Sequence, residues 1–130
     1  MLPPAVNKIS STQAKLTTYT EEECQQILDY VAMYLNVFVH FYASNTVLMM
    51  DSDAAYLVMP NTKSRIAGYF QLSDYPTKTN NPKLNGTILV VYKVLKNVIS
   101  SSAKYETVGL FYNAQMAMPI RYMLEKLNYT

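Results

Sequence analysis

Apolar and polar positions change rhythm several times along the chain, and each change marks an element. Cys24, Ile27, Leu28, Val31 and Leu35 recur at helical spacing, which predicts a helix over about 21–35 that buries this stripe. Thr20 and Glu23 form a capping box at its start, each side chain accepting from the other's backbone amide. Glu21 and Glu22 suit the positive end of the helix dipole. From Val37 the rhythm turns to alternation. Val37–Ser44 and Val47–Leu57 predict two strands of a hairpin around Asn45-Thr46. After a turn at Pro60-Asn61, Ile66–Ser73 predicts a third strand, in which Gly68 signals a bulge or a close backbone approach. A polar loop, 74–86, ends in the turn signal Asn85-Gly86. Thr87–Val94 is a continuous apolar run and predicts a strand covered on both faces. Ser100, Ser101 and Ser102 offer N-caps for a helix over about 102–118, with Tyr105, Val108, Leu110, Phe111 and Tyr112 as a wide apolar face. Pro119 either kinks that helix or opens a second segment to Leu127. Residues 1–19 read as a linker or frayed terminus, and 20–130 as one partial domain. Helix, strand pair, strand, strand, helix is an α+β order: an antiparallel meander followed by a helix, with an N-terminal helix and hairpin.

Composition narrows this little. Half of the 130 residues are hydrophobic and 15% are charged, enough to build a core. The net charge of +2 is too mild to argue for nucleic acid by itself. The single cysteine, Cys24, excludes an internal disulfide, and no cationic neighbour marks it as reactive, so it reads as a core residue. No apolar run approaches membrane-spanning length, and the start, MLPPAVNK, lacks the basic and apolar regions of a secretory signal. The expected location is intracellular, cytoplasmic or nuclear, with no membrane partner.

The candidate chemistry lies in Leu48–Leu57. Asp51 and Asp53, two apart in a predicted strand, share a face of an otherwise apolar segment. Such carboxylates either bind something, a divalent cation for instance, or sit at an edge facing water. Glu106 is a further acid at the start of the last helix. His40 reads as a half-exposed strand residue.

Ser52-Asp53-Ala54-Ala55-Tyr56, Lys63-Ser64-Arg65 leading into Gly68-Tyr69-Phe70, Asn85-Gly86 with the apolar strand after it, and Lys96-Asn97-Val98 through Ser101-Ser102 to Glu106 follow one another at particular spacings. As an ordered set, from about Thr20 onward, they resemble the ribonuclease H domain of Ty1/copia-type retrotransposon polyproteins. The resemblance implies a ribonuclease H-like fold, reverse transcriptase as the neighbouring polyprotein domain, and RNA–DNA hybrid as substrate. It implies hydrolysis of the RNA strand by acids holding two magnesium ions about 4 Å apart. Asp53 matches the first-strand catalytic Asp and Glu106 the helical catalytic Glu, both as metal ligands. Asp51 has no firm counterpart and reads as solvated, with support of the metal ligands from behind as the alternative. Lys63, Arg65, Lys93 and Lys96 are candidate contacts to the hybrid backbone, with a solvated surface as the alternative.

The sequence departs from the family pattern twice. It stops at Thr130, before the strand that carries the family's third catalytic Asp, so the sheet is expected to be incomplete, with an open edge. Lys104 replaces a usual acid. With Ser101 as N-cap it stands where Glu would close a capping box, at a cost of about 0.5–1 kcal/mol. Two functions follow: a polyprotein fragment from a hybrid-cutting nuclease, or a catalytically inactive remnant of such an element. A nucleic-acid module that stacks bases on tyrosines is a third.

Overall fold

The computed structural model describes residues 2–59, 63–78, 81–95 and 101–129. They form an α+β arrangement in the order α1 (Leu2–Ser10), α2 (Thr18–Met33), β1 (Val47–Met59), β2 (Lys63–Ser73), β3 (Thr87–Leu95) and α3 (Ser102–Lys126). The chain divides into two compact units, Met1–Phe38 and Val39–Thr130.

The first unit is a pair of helices. Within the stretch read as a linker or frayed terminus, Leu2–Ser10 is helical; Pro3 and Pro4 are tolerated because they fall in the first turn, where a missing N–H costs nothing. α2 begins earlier than the Thr20 capping box predicts. Thr17 is the N-cap, its Oγ1 accepting from the Thr20 amide at 3.3 Å, and the Thr20 hydroxyl is buried against it at 3.1 Å. Glu23 leaves the cap and pairs with Lys8 of α1. That pair holds the Lys8 ammonium above the ordinary lysine pKa, chiefly through the hydrogen bond to Glu23. The predicted α2 stripe is not a core: Leu28, Val31 and Leu35 are exposed, and Cys24 is half-buried.

The second unit is a three-stranded antiparallel sheet, order β1-β2-β3, with α3 on one face. Ser52 pairs with Gly68, and Gly68 with Val91, in uninterrupted register, so Gly68 is a close approach and not a bulge. Among the described residues β1 and β3 each pair only with β2, leaving the sheet open at both edges. β3 is not covered on both faces: Ile88 and Val90 are exposed.

The predicted strand Val37–Ser44, and with it the hairpin, does not form; residues 37–46 lack regular structure. Side chains replace a ladder there. Asn85 Oδ1 accepts from the Tyr42 amide at 2.8 Å, and its Nδ2 donates to the Tyr42 carbonyl at 2.9 Å and to the Leu72 carbonyl at 2.6 Å. The Asn45 amide donates to Asp74 Oδ1 at 2.9 Å. These bonds satisfy backbone groups that a strand would have paired. Gly86 is required beside them, since a Cβ there would lie 2.5 Å from the Phe41 ring. Exposed His40 stacks on Tyr42, with ring centroids 6.3 Å apart. The Pro60-Asn61 turn lies outside the described residues.

α3 begins where the sequence predicts. Ser101 caps it, Oγ accepting from the Lys104 amide at 3.4 Å, so Lys104 stands at the third helical position. The helix does not divide at Pro119 but runs unbroken to Lys126. Pro119 and Gln115 are both exposed, so the carbonyl that proline leaves without an amide can turn to water. The half-buried Met116, Ile120 and Leu124 continue the inner face past the proline. Of the predicted face only Tyr105 is buried. Tyr105, Gly109 and Asn113 are buried, whereas Val108, Leu110 and Phe111 are exposed. Tyr105 packs in the core of this unit with Ile66 and Phe70, all three almost fully buried.

Candidate functional site

Alternation along the strands decides what faces α3. Asn113 Nδ2 donates to Ser52 Oγ and to the Ala67 carbonyl, both at 2.8 Å. A Cβ on Gly109 would lie 3.2 Å from Ile66 Cγ2 and 3.4 Å from Ala54 Cβ. Ser52, Ala54, Ile66 and Gly68 therefore face the helix. Asp51 and Asp53 alternate to the opposite face, with Tyr69 and Ala67 as their cross-strand neighbours.

β1 is an edge strand, however, and its free edge runs beside the start of α3. Ser52, Asp53 and Ala54 of β1 and Ala103, Glu106, Thr107 and Leu110 of α3 line one open groove of about 590 Å³. Asp53 and Glu106, picked out far apart in the sequence, thus border a common space. Both are exposed. Asp53 Oδ1 accepts from the Ala54 amide at 2.9 Å, which steadies the carboxylate. Among the described residues neither acid has a cationic partner. Asp51 is exposed and does not line the groove.

Two exposed carboxylates bordering an open groove are hard oxygen donors with room for water. That donor set fits one hydrated magnesium ion. Among the described residues no group of three His, Cys, Asp or Glu side chains gathers.

Among the described residues, Arg65 and Lys93 lie on opposite faces of the sheet. Arg65 lies on the face away from α3, over the Tyr92 ring at 4.9 Å. Lys93 lies on the α3 face, with Nζ 4.5 Å from the Tyr112 ring centre and 3.2 Å from its hydroxyl. Lys63 is exposed, and Lys96 lies outside the described residues. Cation–π seating occupies Arg65 and Lys93 within the fold.

Asn113 is the residue that sequence reasoning missed. Its one signal is spacing: Tyr105, Gly109 and Asn113 recur every four residues, a ridge of one large, one small and one polar side chain. No protein-family model, curated protein or solved structure matches the chain.

Proposed function

We propose that this chain is a ribonuclease H-like portion of a Ty1/copia-type retrotransposon polyprotein, with Asp53 and Glu106 as its magnesium carboxylates. The observation that carries the reading is that these two acids, which the resemblance marks as metal ligands, border one groove between the β1 edge and the start of α3. The β1-β2-β3 meander followed by α3 agrees in order with the fold that the resemblance implies.

In this reading an RNA–DNA hybrid lies along the groove with the scissile phosphate toward Asp53 and Glu106. Asp53, steadied by the Ala54 amide, and Glu106, carried on the second turn of α3, offer their free carboxylate oxygens to the cation. Bound magnesium supplies charge stabilisation for the attacking water and the leaving oxygen. Exposed Lys63 is available to a phosphate backbone. Reverse transcriptase is the proposed neighbouring domain. Among the described residues no helix is long and apolar enough to cross a membrane.

A second reading, an inactive remnant, draws on the lack of a third acid beside the pair among the described residues. Magnesium-dependent cleavage of a labelled RNA–DNA hybrid by the full chain separates the two. The nuclease reading expects cleavage that Asp53→Asn abolishes. A folded chain that binds the cation through Asp53 and leaves the hybrid intact is the remnant. Cleavage unchanged in Asp53→Asn removes the assignment of the site.

A further inference from the structure

We infer that Asn113 is a positioning residue for the carboxylate pair: it fixes where α3 sits on β1, and so where Glu106 stands relative to Asp53. The inference rests on the magnesium reading given above.

Asn113 is completely buried. Its Nδ2 holds two strands at once, the Ser52 hydroxyl on β1 and the Ala67 carbonyl on β2, each at 2.8 Å. Its carboxamide lies directly over Gly68, where an added Cβ would be 2.4 Å from Oδ1. Only a glycine at 68 admits the amide at that depth. One turn earlier on α3, Gly109 brings the helix down onto Ala54 and Ile66. The two α3 residues that set its height over β1 thus touch Ser52 and Ala54, the residues on either side of Asp53.

Apolar contacts alone leave a helix free to slide, because one apolar side chain substitutes for another. A buried amide does not slide, since each displaced donor or acceptor is left unpaired away from water. Asn113 Oδ1 itself has no hydrogen-bond partner among the described residues. An amide kept at that cost in a core position fits selection for register more than for stability. A slip of one helical turn would carry Glu106 about 5.4 Å along the strand, enough to separate it from a cation held by Asp53.

The test is Mn²⁺ binding to the full chain, followed by electron paramagnetic resonance and paired with thermal unfolding. Asp53→Asn, Asn113→Ala, Ser52→Ala and the core variant Phe70→Leu are compared with the parent below their melting temperatures. The expected result is Mn²⁺ binding lost in Asp53→Asn, about tenfold weaker in Asn113→Ala, weaker in the same direction in Ser52→Ala, and unchanged in Phe70→Leu. Ser52→Ala removes one of the two Asn113 hydrogen bonds, leaving the one to the Ala67 carbonyl, with little loss of packing, and serves if Asn113→Ala fails to fold. Parent-like affinity in Asn113→Ala and Ser52→Ala overturns the inference and leaves the magnesium reading standing. Equal weakening in Phe70→Leu also overturns it, by reducing the effect to general loosening. Mn²⁺ binding indifferent to Asp53→Asn overturns both.

Discussion

α2 and α3 bury different things. α2 carries the more regular apolar stripe, yet Thr20 is its only buried residue, and Leu28 and Val31 are exposed. α3 leaves Leu110, Phe111 and Met118 exposed and buries Tyr105, Gly109 and Asn113. The difference lies in the partner surface. α2 meets the short helix α1, which has no buried residues of its own, and the two are joined through the Lys8–Glu23 pair. α3 meets a sheet whose facing positions include Ala54 and Gly68, so its closest approach falls where its own side chains are small or can hydrogen-bond. Which face is buried is set by shape and polar fit as much as by apolarity.

The comparison breaks most sharply at Tyr105. Tyr105→Ala removes the largest buried side chain and is expected to cost the second unit about 3–5 kcal/mol, read from the shift of its urea midpoint. A smaller effect is expected of Gly68→Ala. The new methyl meets the Asn113 amide, and the loss is about 1–3 kcal/mol. Combining it with Asn113→Ala should recover part of that loss, and strict additivity in a double-mutant cycle would remove the close approach from the account.

The smallest effect belongs to the helix pair. Because the Lys8 pKa is raised in the folded state, the stabilisation from its pairing with Glu23 is fully present below the ordinary lysine value. It is lost as pH rises through the folded value. Helicity followed by circular dichroism should therefore fall in strongly alkaline solution, and Lys8→Gln should remove that component while leaving tyrosine ionisation in place. A titration that Lys8→Gln leaves unaltered would show the pair to be incidental.

The sequence reading was most accurate where local chemistry decides. Ser101 caps α3 as expected because its hydroxyl needs only the amide three residues on. β2 and β3 lie near their expected positions because their apolar runs are bounded by polar loop or turn signals. It failed where a distant side chain competes. Val37–Ser44 has the alternation of a strand, but Asn85, 43 residues away, takes both polar groups of the Tyr42 backbone. Glu23 suits a capping box with Thr20, but the helix is capped at Thr17, and Glu23 pairs with Lys8 instead. At the candidate site, alternation alone brought out Asp51 and Asp53 equally; only the resemblance separated them and joined Asp53 to Glu106. Asn113 was invisible because its value depends on Gly68 and Ser52, which no local pattern links to it.

The hydrogen bond between Asn113 and Ser52 spans 61 residues, whereas the meander joins neighbours in sequence. Contacts of such long range form late, since the chain between them must be ordered first. The three strands can assemble before α3 settles, and the groove comes into being only with that last step. A nascent chain would therefore have its sheet well before it had the groove between β1 and α3.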